Sequence, residues 1–133
     1  MMNQLFESVT DRFIIPAKFD GLNVLIKASR NRYVGNSLKS KNERYVLKYC
    51  SGTSAIEGLN DYAFIWHESN KRRDHDNIAS ATKFIFDGLQ TLHVISNDGA
   101  KNVGELHHSY KYDVDQENEY VEIIVGHFNT FEI

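Results

Sequence analysis

Apolar and polar positions fall in blocks along the chain, and the blocks predict its elements. Arg12-Phe13-Ile14-Ile15-Pro16 is a short apolar run closed by the only proline and predicts a first strand. Asp20-Gly21 marks a turn, and residues 27–36, basic and carrying Gly35-Asn36, predict a charged loop. Ser37 suits the N-cap of a helix to about Cys50, with Leu38, Tyr45, Val46, Tyr49 and Cys50 near one face. Ser, Thr and two glycines make Ser51–Asn60 a connector, after which Tyr62-Ala63-Phe64-Ile65-Trp66-His67 reads as a nearly all-apolar, central strand. Ile78, Ala81, Ile85, Leu89 and Leu92 recur at spacings of three and four, predicting one helix capped by Asp76 or Asn77. Asn97-Asp98-Gly99 is a turn. Asn102–Tyr112 and Glu119–Phe131 read as strands joined by an acidic hairpin turn at Asp113–Asn118, with Phe128 and Phe131 expected in the core. The sum is one α/β (α+β) domain over 1–133, a mixed sheet of about four strands covered by two helices.

Composition changes this picture little. At 133 residues, 41% hydrophobic and 25% charged, the chain suits one ordered globular domain. No apolar run reaches the ~18–20 residues of a membrane helix, and Met1–Arg12 lacks the pattern of a signal peptide. Cys50 stands alone, which leaves no disulfide framework or CxxC zinc motif, so a soluble intracellular protein is expected.

Charge changes it more. The net charge of −3 conceals a polarised chain: Lys27–Lys48 carries seven basic residues against Glu43 alone, whereas Glu105 onward carries seven acids against Lys111. A basic face beneath a near-neutral total fits a polyanion, and two oppositely charged solvated surfaces fit it equally well.

The chemistry concentrates in Arg72-Arg73-Asp74-His75-Asp76-Asn77, in Lys83 and in Asn97-Asp98. Two carboxylates at i and i+2 of an extended segment project to one side, so Asp74 and Asp76 could share one hard cation, with Asp98 as a third ligand. Such a set suits Mg²⁺ or Mn²⁺ rather than Zn²⁺. Capping of a helix start explains one Asp equally well, though not two beside paired arginines. Lys83, seven residues after Asp76, falls near the same helical face; an i,i+4 pair with Asp87 is the plainer reading.

The block Arg72-Arg73-Asp74-His75-Asp76-Asn77, the run Lys83-Phe84-Ile85-Phe86-Asp87-Gly88-Leu89 and the turn Asn97-Asp98, in that order, resemble the RusA family of Holliday-junction resolvases, particularly its phage and prophage members. Phe13–Pro16, Gly21-Leu22-Asn23, the basic Arg30–Lys41 segment and Glu105–Lys111 extend the resemblance over nearly the whole chain. The spacing from Asn77 to Lys83 is longer than in the shortest members, and Asn97 stands where others carry an acid.

The resemblance implies a RusA-like fold and a hydrolase, a crossover junction endodeoxyribonuclease. Asp74, Asp76 and Asp98 would be its catalytic metal ligands, Lys83 its essential lysine and Mg²⁺ (or Mn²⁺) its cofactor. Lys27, Arg30, Arg32, Lys39, Lys41, Arg44, Lys71, Arg72 and Arg73 become the expected DNA contacts. The implied partner is branched DNA, bound by a homodimer. The implied setting is recombination, repair or phage DNA processing in the cytoplasm of a bacterial cell or phage-infected host. The alternatives are an inactive module binding branched or single-stranded DNA and a nuclease preferring flaps and forks.

Other patterns point nowhere. His107-His108 are strand neighbours facing opposite ways, and Asp113–Asn118 lacks the Gly and Glu positions of a calcium loop. No phosphate loop, dinucleotide fingerprint or nucleophile elbow occurs, so no nucleotide cofactor is expected.

Overall fold

The computed structural model describes residues 2–129. Its elements run α1 (Met2–Leu5), β1 (Phe6–Ile15), α2 (Leu22–Ala28), α3 (Arg32–Cys50), β2 (Asn60–His67), α4 (His75–Ala79), α5 (Thr82–Thr91), β3 (Val103–Lys111), a 3-10 turn at Gln116–Asn118, and β4 (Tyr120–Phe128). Phe131, expected at the end of the last strand, lies outside the described residues. The result is a single α+β domain, a four-stranded mixed sheet with three helices (α2, α3 and α5) packed on it. Two short helices, α1 and α4, complete it.

Strand order is β1-β4-β2-β3. β4 is antiparallel to both its neighbours, while β2 and β3 are parallel. The largely apolar β2 is indeed central: Tyr62, Phe64 and Trp66 face the helices, and Ala63 and Ile65 join Phe6 and Ile124 on the other face. Burial of both faces is what makes its sequence continuous rather than alternating. The helix side holds the main core, in which Ile15, Val46, Tyr62, Phe64, Ile85, Leu89, Ile123 and Val125 are fully buried.

Four expectations need correcting. First, β1 begins six residues early. After buried Phe6, residues Glu7–Thr10 are exposed and mostly polar, with two register shifts against β4, so hydrophobic pattern alone does not reveal them.

Second, residues 27–36 form no charged loop. α2 and α3 occupy them, raising the packed helices from two to three. The Asn31 side chain accepts the amides of Tyr33 and Val34 and starts α3 at Arg32, not after Ser37. Gly35 lies inside α3, opposite the Ala28 carbonyl at the α2–α3 corner.

Third, the helix over residues 76–92 is two helices. Ser80 Oγ donates to the Asn77 carbonyl at 2.7 Å, and Ala81 N bonds Ile78 O instead of the carbonyl one residue earlier. The hydroxyl's competition for the carbonyl interrupts the ladder between α4 and α5. The N-cap backbone position is Asp74, rather than Asp76 or Asn77.

Fourth, residues 113–118 do not close a hairpin, because β2 lies between β3 and β4. The connection crosses the end of β2 and is tied there. His67 Nδ1 meets Asp113 Oδ1 at 2.9 Å, and Glu119 accepts the Ser69 amide at 2.9 Å and pairs with Lys18 at 3.0 Å.

Candidate functional site

The chain leaves β2 at His67 and reaches α4 through a loop that its own charges hold in place. Arg73 turns inward, donating to Glu68 at 2.7 Å and to the Phe19 carbonyl at 3.1 Å. It is thereby taken up in a largely buried pair rather than presented as a phosphate contact. On the other side of the carboxylates, Asn77 Oδ1 accepts the Asn23 amide at 3.1 Å. Gly21 lies so close to this amide that a Cβ there would collide with the Asn77 side chain. Two anchors thus flank Asp74, His75 and Asp76, all three of which are exposed.

Neither carboxylate is consumed by the helix start. Asp74 sits at the N-cap with extended backbone but caps no amide through its side chain, and Asp76 accepts only the adjacent Asn77 amide, at 3.0 Å. Capping therefore does not account for the pair. The i,i+2 geometry does not hold either, since Asp76 lies in the first turn of α4 and not on an extended strand.

The end of β3 closes over this segment. The His75 ring stacks on Tyr110, centroids 3.7 Å apart and planes within 8°, and His75 Nε2 hydrogen-bonds Tyr112 Oη at 3.0 Å. Tyr110 Oη donates to the His75 carbonyl at 3.1 Å. Lys71 Nζ lies 5.3 Å from the Tyr112 ring centroid, and Arg72 is exposed beside it. The Tyr110 phenol is pushed up, first by burial and then by Tyr112 and Asp76, so it stays a neutral donor. Hydrophobic periodicity cannot reveal these tyrosines as part of a site. Only the parallel β2–β3 register, with Trp66 opposite Tyr110, delivers them here.

Asp98 sits elsewhere. It belongs to the turn that starts β3, where the Gly99 carbonyl accepts the amides of Asn102 and Val103. His75, by contrast, meets Tyr110 near the far end of that nine-residue strand. Asp98 Oδ2 is instead 3.4 Å from Lys83 Nζ, which also pairs with Asp87 at 2.9 Å, the plainer i,i+4 contact. The Lys83 ammonium is pushed up, first by its hydrogen bond to Asp87. Among the described residues no three carboxylate, imidazole or thiol groups come together to hold a metal ion. Asp74, Asp76 and Asp98 are thus not gathered into one cluster, and Asp74 and Asp76 are the two carboxylates that share a segment.

The basic residues divide into free and engaged. Lys27, Arg30 and Arg32 are exposed around the α2–α3 corner and make no ion pair among the described residues. Lys39 lies 3.9 Å from both Glu43 and Asp87, Lys41 3.2 Å from Asp20, and Arg44 bonds the Ser40 carbonyl at 3.4 Å. Further along α3, Lys41, Arg44 and Lys48 line a groove with Tyr45 and Tyr49. Of the two adjacent histidines, His107 is exposed and His108 packs on Phe64, accepting from Trp66 Nε1 at 3.0 Å. Cys50 is a free, buried thiol, pushed up to about 11 by burial and by Asp11. No helix among the described residues is long and apolar enough to cross a membrane. Set against known proteins, the sequence matches no family model and no curated relative.

Proposed function

We propose that this chain is a structure-selective endodeoxyribonuclease acting on branched DNA, a hydrolase of the Holliday-junction type, working as a homodimer inside a bacterial cell or phage-infected host. The supporting observation is the Lys71–Asp76 segment, in which two exposed, uncapped carboxylates stand beside exposed Lys71 and Arg72 on a loop anchored at both ends. Cations bring a phosphodiester to such a place, and fixed carboxylates can act on it there. The α2–α3 corner and the α3 groove add cationic surface for the rest of a branched substrate. Dependence on Mg²⁺ or Mn²⁺ rests on the resemblance to the RusA family.

The distance of Asp98 from this segment, and its pairing with Lys83, favour a second reading: a branched-DNA or single-strand binding module that does not cut. Cleavage of a labelled four-way junction in Mg²⁺, Mn²⁺ or EDTA, beside linear duplex and a flap, separates the two. Metal-dependent paired nicks in the junction are expected. Tight binding without cleavage in any metal would establish the module instead, and preferential cutting of the flap would move the substrate to flaps and forks.

A further inference from the structure

In the ring cluster beside Asp74 and Asp76, Tyr110 packs against the main core, while His75 and Tyr112 lie outside it. His75 is exposed, Tyr112 is 36% exposed, and the contacts that hold them are polar or ring-on-ring. Two elements 35 residues apart supply the rings, and three interactions fix them: the His75–Tyr110 stack, the His75–Tyr112 hydrogen bond and the Tyr110 bond to the His75 carbonyl. An aromatic surface locked before binding needs little ordering to receive a flat partner.

We propose that His75, Tyr110 and Tyr112 form a platform on which an unpaired DNA base stacks at a branch point. This rests on the DNA reading above and specifies which part of the substrate meets the loop. The surrounding charges favour a base at this position. Asp74 and Asp76 would repel a phosphate lying directly on the rings, whereas a base is neutral and flat. Lys71, over the Tyr112 ring, and exposed Arg72 are placed for the phosphates on either side of that base. Paired, stacked duplex hides the faces of its bases and gives the platform nothing to hold. A branch or single-stranded end offers them.

The test uses a forked DNA carrying 2-aminopurine as an unpaired base at the branch, beside a linear duplex in which it is paired. Fluorescence reports stacking and anisotropy reports affinity. Wild-type protein is expected to quench the unpaired probe and leave the paired one bright. His75→Ala and Tyr112→Ala should lose the quench and bind the fork about tenfold more weakly, while His75→Phe, which keeps a ring, restores the quench. Equal quenching by wild type and both alanine variants, with fork binding intact, overturns the platform and leaves the DNA reading standing. Failure of wild-type protein to bind either DNA overturns both.

Discussion

The two ends of β3 carry the same kinds of residue and use them in opposite ways. At its end, Asp74 and Asp76 are exposed, and the anchors around them, Arg73–Glu68 and Asn77–Asn23, take up other side chains. At its start, Asp98 is turned onto Lys83, which also binds Asp87, so cation and carboxylates there satisfy one another. An ion pair closed within the chain has little left to offer a ligand, whereas carboxylates held in place without a partner are available for chemistry. The difference lies in what the neighbouring elements leave unpaired.

The largest test of this contrast is on cleavage. Asp74→Asn and Asp76→Asn should each lower the rate of junction cutting by about 100-fold or more while junction binding persists. Asp98→Asn should stay within about threefold of wild type, a gap smaller than one positioned catalytic group supplies. If Asp98→Asn is as damaging as Asp74→Asn in a single-turnover assay, the two ends of the strand meet in the working complex and the contrast fails.

Next in size is the tie beneath the acidic end. Glu119 is buried, and burial alone would push its carboxyl up; the Ser69 amide, Lys18 and the Ser69 hydroxyl outweigh this and hold it below the ordinary value. A carboxylate lowered in this way contributes stability above its unfolded-state value of 4.5, and loses it as pH falls through the lower folded-state value. Chemical denaturation at neutral pH should show Glu119→Ala less stable by about 2 kcal/mol, with the gap narrowing below pH 4.5. A gap that stays constant into acid would mean that packing, not charge, is what Glu119 contributes.

Smallest is Lys83→Ala. Its i,i+4 pair with Asp87 is worth a few tenths of a kcal/mol, so the melting temperature should barely move. Cleavage should hold as well, because Lys83 serves the Asp98 end. A large loss of rate with folding intact would return Lys83 to the catalytic group that the resemblance implies.

Legibility from sequence followed the range of the interactions. The apolar run of β2 identified a central strand because burial of both faces requires it. The two histidines at 107 and 108 faced opposite ways because strand geometry leaves no choice. The α3 start was legible in principle, since Asn31 is a good capping residue, but Gly35-Asn36 read as a breaker although the helix runs through both. The crossing of residues 113–118 over β2 could not be read locally, because the strand order that forbids a hairpin is a property of the whole sheet.

The same division holds at the site. Sequence alone determined the fold class, the central strand, the single free thiol and the concentration of acids and bases in residues 71–76, all of which follow from composition and short-range pattern. Tertiary structure alone decided which of those charges remain available. It turned Arg73 onto Glu68, closed Lys83 onto Asp87 and Asp98, and brought Tyr110 and Tyr112 across 35 or more residues to His75. A side chain's chemistry is written in its identity, but its partners are set by strand register and helix packing, which no local spacing encodes.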